Sequence, residues 1–314
     1  MSYSGWEPIT DLPQNWHEFA DSILPTLSDA WRVRASQMRS TPVYRTFLDR
    51  MHRRIAIETG VLERLYTIDR GITQLLIEHG IDEALIAHGS TDRPVIEVVQ
   101  LIRDQQQAIE GLYDFVGSQR DLSISFVKQL HQLLTQHQTN VEAKDQFGRL
   151  MYVDLIRGDW KRQPNNPTRK DGSVYHYCPP EQVASQMDQL IWWHRQHTAA
   201  GVPPEIEAAW LHHRFTQIHP FQDGNGRVAR MLASLVFVKA GWFPLVTTRD
   251  ERDDYISSLE QADKGDLQSL IQQFAQAQQR ALYNALDLAE NVETEYRSMK
   301  DELLALPNKV QSNQ

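Results

Sequence analysis

A short segment between two helical patterns brings together residue types that suit phosphate chemistry. It runs from His219 to Arg230 and reads HPFQDGNGRVAR. Gly224, Asn225 and Gly226 let the backbone turn sharply and place no large side chain in the way of a ligand. The helix that follows begins with N–H groups that have no intrahelical acceptor, and such groups bind anions. The segment therefore predicts an anion site at a helix N-terminus.

The charged residues of this segment indicate a polyphosphate bound together with a divalent cation. Arg227 and Arg230 are three positions apart, so both project from one side of the first helical turn. Asp223 would repel phosphate unless a hard cation lies between them, and Mg²⁺ commonly binds through one or two carboxylates plus substrate phosphates. His219 adds a group that accepts a proton near neutral pH. These are the parts that a nucleotide-dependent transfer to a hydroxyl requires.

Each of these features also has an ordinary structural explanation. A Gly-Asn-Gly turn, two arginines three apart and a His before Pro are all common without any function. Their joint occurrence is different, because eight fixed residues plus one acidic position arise by chance in a chain of this size about once in a billion, at ~5% per residue type. The combination therefore favours function over coincidence.

Apolar residues recur at helical spacing on both sides of the segment. They are Ile206, Ala209, Trp210 and Ile218 upstream, and Val228, Met231, Leu232, Leu235 and Val236 downstream. Helical periodicity also predicts helices over about 29–117, a further helix that begins at Ser123, and a long C-terminal helix over about 266–306. Prolines and turn formers in Gly158–Pro180 favour a short β-hairpin, with a surface loop as the alternative. We expect an all-α fold with one small β-hairpin.

Composition excludes several classes of protein. The chain has 32 Lys+Arg against 41 Asp+Glu and a net charge of −9, which argues against nucleic-acid binding by bulk charge. Cys178 is the single cysteine of the 314 residues, so neither an internal disulfide nor a Cys-based zinc site can form. The N-terminus lacks the pattern of a signal peptide, and no apolar window is long enough for a membrane helix. We expect a cytoplasmic protein without a membrane or nucleic-acid partner, and a homodimer is left open.

The segment resembles the signature of Fic-domain proteins, H-P-F-x-[D/E]-G-N-G-R-x-x-R, at every specified position. The resemblance extends to Leu130-His131, to the 158–180 segment as the family's flap, and to Tyr255 followed by Gly265-Asp266-Leu267. It implies a helical Fic core over 121–275, preceded by an N-terminal helical region over 1–120 that is a candidate inhibitory region. Residues 276–314 form the C-terminal helix and tail.

What the resemblance implies is an enzyme that transfers AMP from ATP to a Ser, Thr or Tyr hydroxyl of a target protein, and to itself. His219 would be the general base, and Asp223 would hold Mg²⁺ against the α- and β-phosphates. Phe221 would point into the core and fix the loop. The nucleotide-binding positions would be Gly224, Asn225 and Gly226 around the transferring phosphate, Arg227 towards the β-phosphate and Arg230 towards the γ-phosphate.

The flap residues of this resemblance would face the target protein. The flap would hold the target backbone as an added strand, through Trp160, Lys161, Tyr175 and His176. Transfer of UMP, removal of AMP and a non-catalytic, regulatory nucleotide site are the alternatives. A mere binding protein would need neither His219 nor Asp223, and a transcription regulator would need a winged helix that the sequence lacks.

Many Fic proteins carry an inhibitory helix with the pattern [S/T]-x-x-x-E-[G/N], whose Glu pairs with the second Arg of the signature. The nearest match here is RIAIET over 54–59, in which Arg54 replaces Ser/Thr and Thr59 replaces Gly/Asn. A poorer match is Glu290-Asn291. We therefore expect Glu58 to pair with Arg230.

Overall fold

The computed structural model of the chain, which describes residues 5–144, 149–168 and 172–305, consists of α-helices and one small antiparallel sheet. The first five helices are α1 (Leu24–Met38), α2 (Pro42–Leu62), α3 (Arg70–His79), α4 (Val95–Gly117) and α5 (Ile124–Leu134). After the strands β1 (Asn140–Lys144) and β2 (Leu150–Asp154) come α6 (Val183–Ala200), α7 (Pro204–Ile218), α8 (Asn225–Lys239), α9 (Arg252–Ala262) and α10 (Gln268–Ala305). The predicted fold class is confirmed.

Helices α7 and α8 pack together at the centre of the fold. Trp210 and Phe215 of α7 and Leu232 and Phe237 of α8 are each 0% exposed. Both helices bury residues on nearly every face, which is typical of helices surrounded by others. Helices α4, α5, α6 and α10 contact this pair, so the turn that joins α7 to α8 is held at the core rather than on a mobile loop.

One apolar core joins the N-terminal helices, the central pair and the C-terminal helix. It extends along the chain from Ile9 to Ala289. A second, smaller cluster lies between α2, α3 and α4 and includes Ile57, Tyr66 and Leu76. Of the N-terminal helices, α4 packs directly against α8, which carries the last residues of the signature. None of the described helices combines the length and the apolar character that crossing a membrane requires.

The β-hairpin lies earlier in the chain than the sequence predicted. Strands β1 and β2 pair antiparallel, with Val141 opposite Val153. In 158–180, the described residues form a single antiparallel bridge between Thr168 and Val174, and residues 169–171 of the predicted turn lie outside the described ranges. The prolines of 158–180 cannot donate ladder hydrogen bonds, whereas the β-branched and aromatic residues of 140–154 suit a pleated strand.

A buried ion pair ties α2 to the segment before α9. Glu58, 7% exposed, accepts hydrogen bonds from the backbone N–H of Arg249 at 2.8 Å and from its Nε at 3.1 Å. The same guanidinium donates to the carbonyl of Ile68 and the hydroxyl of Thr73, each at 3.0 Å. The predicted pairing of Glu58 with Arg230 is therefore wrong, because this face of α2 meets the α8–α9 connection instead.

This arrangement predicts a structural role for Glu58. The change Glu58→Ala leaves the Arg249 guanidinium largely buried without a counter-ion and should lower the free energy of unfolding by about 3 kcal/mol. Urea unfolding followed by circular dichroism measures the change. Glu110→Ala, at an exposed position of α4, is the matched control and should stay within about 0.5 kcal/mol of the unchanged protein. Equal effects of the two changes would contradict the role.

Candidate active site

The turn between α7 and α8 is bounded by two residues in the left-handed conformation. His219 ends α7 with φ 52° and ψ 58°, and Gly224 precedes α8 with φ 77°. A Cβ at Gly224 would lie 3.1 Å from a methyl carbon of Thr135 and 3.2 Å from Arg227, so glycine is required there by both conformation and space. His219 is not glycine, so its left-handed backbone is strained, and such strain clusters at functional sites.

Side-chain amides hold the backbone of the turn. The side chain of Asn225 accepts from the N–H of Phe221 at 2.9 Å and donates to its carbonyl at 2.8 Å. Asn165 donates to the same carbonyl at 2.9 Å. The backbone N–H of Lys161 donates to the carbonyl of Pro220 at 2.8 Å. The segment that follows Gly158 therefore forms one wall of the turn.

Phe221 anchors the turn in the core, as predicted. It is 0% exposed and stacks on the imidazole of His131, with ring centroids 3.8 Å apart. The ring of Trp160 also packs against Phe221, with ring centroids 5.0 Å apart. His131 in turn contacts the carbonyl of Asp223 at 3.0 Å and accepts from the N–H of Gly158 at 2.9 Å. The aromatic anchor and these hydrogen bonds fix both ends of the turn relative to α5.

The environment of His219 keeps its imidazole neutral and fixes its tautomer. Nδ1 lies 3.3 Å from the carbonyl of Thr216, and a carbonyl only accepts, so Nδ1 carries the hydrogen. Nε2 therefore holds the lone pair of the neutral ring. Burial, reinforced by the nearby Lys161 ammonium, lowers the pKa of His219 to about 3. The ring of Tyr177 stacks on the imidazole at 3.7 Å and orients it.

Asp223 and Arg227 form the second part of the site. Arg227 is 1% exposed and donates to the carbonyl of Leu134 at 2.8 Å. Burial alone would raise the pKa of Asp223, but Arg227 and hydrogen bonds from Gln138 and Gly224 outweigh it and lower that pKa. Asp223 is therefore ionised at neutral pH.

This chemistry suits a metal ion shared with a ligand rather than a protein cage. Within the described residues, no group of three or more His, Cys, Asp or Glu side chains could hold a metal. One ionised carboxylate beside a helix N-terminus is the donor set that Mg²⁺ uses when phosphates and waters complete its shell. The residues present fit Mg²⁺ bound with a nucleotide through Asp223.

The partner of Arg230 is a glutamate that the sequence reasoning did not single out. Arg230 is 4% exposed, and its guanidinium donates to Oε1 of Glu63 at 2.6 Å and to the hydroxyl of Tyr255 at 3.5 Å. Burial by itself lowers the pKa of Arg230, but Glu63 and Tyr255 raise it. A Cβ at Gly226 would lie 2.5 Å from the same Oε1, so Glu63 rests against the first turn of α8.

A helix-ending motif holds Glu63 in this place. It is the C-cap of α2, where the N–H of Leu65 donates to the carbonyl of Gly60 and the N–H of Arg64 to that of Val61. This is the Schellman pattern, and it puts Arg64 in the left-handed conformation with φ 55°.

A sequence signal for Glu63 was present. Thr59 and Glu63 fit the Ser/Thr and Glu positions of [S/T]-x-x-x-E-[G/N], and Arg64 takes the left-handed conformation that Gly or Asn adopts most easily. Glu58 lies five residues earlier and thus about 140° away around the helix axis. The other candidate, Glu290, lies exposed on α10.

The four predicted flap residues have different environments. Lys161 is 3% exposed, its ammonium donates to Asn165 at 2.8 Å, and burial lowers its pKa to about 8. Trp160 packs on the anchor Phe221, and Tyr175 donates to Asp263 at 2.9 Å. His176 is partly buried. Lys161 therefore supports the turn from inside, while the neighbouring Tyr177, which sequence reasoning missed, contacts the imidazole of His219.

Comparison with known proteins assigns the region around this turn to a family. Residues 121–237 match the model of the Fic/DOC family. The protein adenylyltransferase fic-1 of Caenorhabditis elegans is 33% identical over 96 residues, which are 31% of this chain and 19% of that protein. The protein adenylyltransferase Fic of Nematostella vectensis is 34% identical over 103 residues, 33% of this chain and 24% of that protein. The matches thus span less than a quarter of these relatives.

Solved structures extend the likeness in fold beyond the matched region. A Fic domain containing signaling protein from Bacteroides thetaiotaomicron superposes with a TM-score of 0.70 and 22% identity, over 86% of this chain and 97% of that one. The helices before and after the matched region therefore share that protein's arrangement. Residues 121–237 of this chain form a Fic domain of the Fic/DOC type.

Proposed function

We propose that this protein is an adenylyltransferase that moves AMP from ATP to a Ser, Thr or Tyr hydroxyl of a target protein, and to itself. The observation that carries the proposal is the neutral imidazole of His219, with its lone pair on Nε2, at the mouth of an anion-binding turn. The names of the two relatives, both protein adenylyltransferases, support the same reaction.

The triphosphate binds at the N-terminus of α8. The first N–H groups of the helix and the helix dipole attract the phosphates. Arg227 and Arg230 would neutralise the phosphates from the same side of the helix, and Asp223 would hold Mg²⁺. When bound, Mg²⁺ neutralises phosphate charge and orients the triphosphate.

The transfer step uses His219 as general base. The acceptor hydroxyl gives its proton to Nε2 while its oxygen forms a bond to the α-phosphorus. The bond between that phosphorus and the oxygen bridging to the β-phosphate breaks, and pyrophosphate leaves. Tyr177 and the carbonyl of Thr216 hold the ring so that Nε2, rather than Nδ1, meets the hydroxyl.

Glu63 holds this site in a resting state. Its carboxylate accepts a hydrogen bond from the guanidinium of Arg230, to which the γ-phosphate would bind, and it lies against Gly226 in the first turn of α8. A nucleotide that needs Arg230 must first displace this charge-assisted hydrogen bond. Glu63 therefore acts as the brake for which Glu58 was the candidate in the sequence.

Labelled nucleotides test the reaction. We expect the Glu63→Gly variant to label itself with ATP carrying the isotope on the α-phosphate and not with ATP carrying it on the γ-phosphate. Adding His219→Ala should lower that rate by about 100-fold or more while nucleotide binding persists. Labelling from the γ-phosphate would make the protein a kinase. Transfer from α-labelled UTP in preference to ATP, or mere removal of AMP from a modified protein, would also overturn the proposal.

Release of the brake is a separate prediction. A hydrogen bond to a charged group is worth about 1.5–3 kcal/mol, so Glu63→Gly should raise self-labelling at subsaturating ATP by about 10- to 100-fold. Arg64→Gly is the matched control, since it changes the adjacent residue, relieves a left-handed non-glycine conformation and leaves Glu63 in place. An unchanged rate in Glu63→Gly, or an equal rise in Arg64→Gly, would contradict the brake.

The lowered pKa of His219 predicts an unusual pH profile. A base with a pKa of about 3 stays deprotonated throughout the range in which an ordinary histidine titrates. Between pH 7 and 5.5, kcat/KM of the Glu63→Gly variant should fall less than twofold, whereas a pKa of 6.5 would cause a loss of about eightfold. Circular dichroism at each pH controls for unfolding. A midpoint of the acid limb near 6.5 would refute the assignment.

A further inference from the structure

Gln138 forms hydrogen bonds to two charged residues of the signature, Asp223 and Arg227. Its Nε2 donates to Oδ2 of Asp223 at 2.6 Å, and its Oε1 accepts from the guanidinium of Arg227 at 2.5 Å. Gln138 belongs to the connection between α5 and β1 and is 85 residues before Asp223 in sequence.

The primary amide suits this position because it donates to an anion and accepts from a cation at the same time. Oδ2 of Asp223 and the Arg227 guanidinium are 3.7 Å apart and form an ion pair. By bonding to both groups, Gln138 fixes the two members of this pair relative to each other. The contacts of Gln138 and Arg227 both fall on Oδ2 of Asp223, and a carboxylate has a second oxygen that can bind a cation.

Gln138 is itself held in place by the surrounding backbone. Its N–H donates to the carbonyl of Thr135 at 3.0 Å. The preceding residue, His137, donates from its backbone N–H to Oδ2 of Asp104 at 2.9 Å, and its Nδ1 lies 2.7 Å from Oδ1. Asp104, on α4, is 1% exposed. The amide therefore projects from a segment that is fixed to a buried carboxylate.

We propose that Gln138 is a positioning residue that aims the Asp223 carboxylate at the divalent cation and sets how tightly the nucleotide-bound cation is held. The inference rests on the proposed function, because it assumes that Asp223 is the ligand of the cation. Removing a group that hydrogen-bonds to a metal ligand typically lowers metal affinity or activity by about 10- to 100-fold.

The test measures binding of Mn²⁺, as a paramagnetic probe, to the Glu63→Gly protein with ATP present. Gln138→Met keeps most of the side-chain volume and loses both hydrogen bonds, whereas Gln138→Ala loses the volume as well. Both should raise the half-saturating Mn²⁺ concentration by about 10- to 100-fold. Gln136→Met, at a nearby exposed residue, should leave it unchanged.

If Gln138→Met binds Mn²⁺ as tightly as the Glu63→Gly parent, or if only Gln138→Ala binds it more weakly, the inference is overturned. The side chain of Gln138 would then only fill space. A parent protein without nucleotide-dependent Mn²⁺ binding would overturn it too.

An activity measurement separates this inference from the proposed function. In Gln138→Met, raising Mg²⁺ should restore most of the AMP-transfer rate, which damage to the fold would not allow. A rate that stays low at all Mg²⁺ concentrations contradicts a positioning role. If the parent protein transfers no AMP, the proposed function fails, while the Mn²⁺ titration still decides the role of Gln138.

Discussion

The turn between α7 and α8 is the constraint on which the rest of the site depends. It must reverse the chain within a few residues, and it does so with left-handed backbone at His219 and at Gly224. The amide of Asn225 closes the turn on the backbone of Phe221, and the buried ring of Phe221 fixes it in the core. An imidazole and a helix N-terminus are thereby set a short distance apart on rigid elements, which is what preorganised catalysis requires.

Two buried cations define the electrostatics of this site. Burial of an unpaired guanidinium is costly, so each arginine has a partner in the resting protein. Arg227 is satisfied by backbone and amide oxygens, which a phosphate can join. Arg230 is satisfied by the carboxylate of Glu63, which a phosphate must replace. In the proposed function, this difference would make Arg227 a permanent part of the site and Arg230 the point at which the N-terminal helices control it.

Local patterns in the sequence predicted the elements around the site but not all of their partners. The helical stripes on both sides of the signature correctly predicted α7 and α8, whereas the anion site inferred from the turn residues stays a prediction. The two-stranded sheet over Asn140–Asp154 was not predicted, while the described residues of the predicted hairpin over 158–180 form one antiparallel bridge. The prolines of 158–180 cannot donate ladder hydrogen bonds, which limits pairing there. Glu58 was predicted to pair with Arg230 although it matches only the Glu position of the inhibitory pattern, whereas Thr59 and Glu63 match two positions. The left-handed conformation of Arg64 at the end of α2 helps to hold Glu63 where it reaches α8.

The sequence by itself determined the local chemistry, namely the base, the carboxylate, the two arginines and the glycines of one continuous turn. Those properties depend on covalent spacing and backbone freedom, which twelve adjacent residues fully specify. Only the tertiary structure decided that Glu63 contacts Arg230 across 167 residues and that Gln138 bridges Asp223 and Arg227. Such contacts depend on how helices rotate and pack in a shared core, and no local periodicity encodes that rotation.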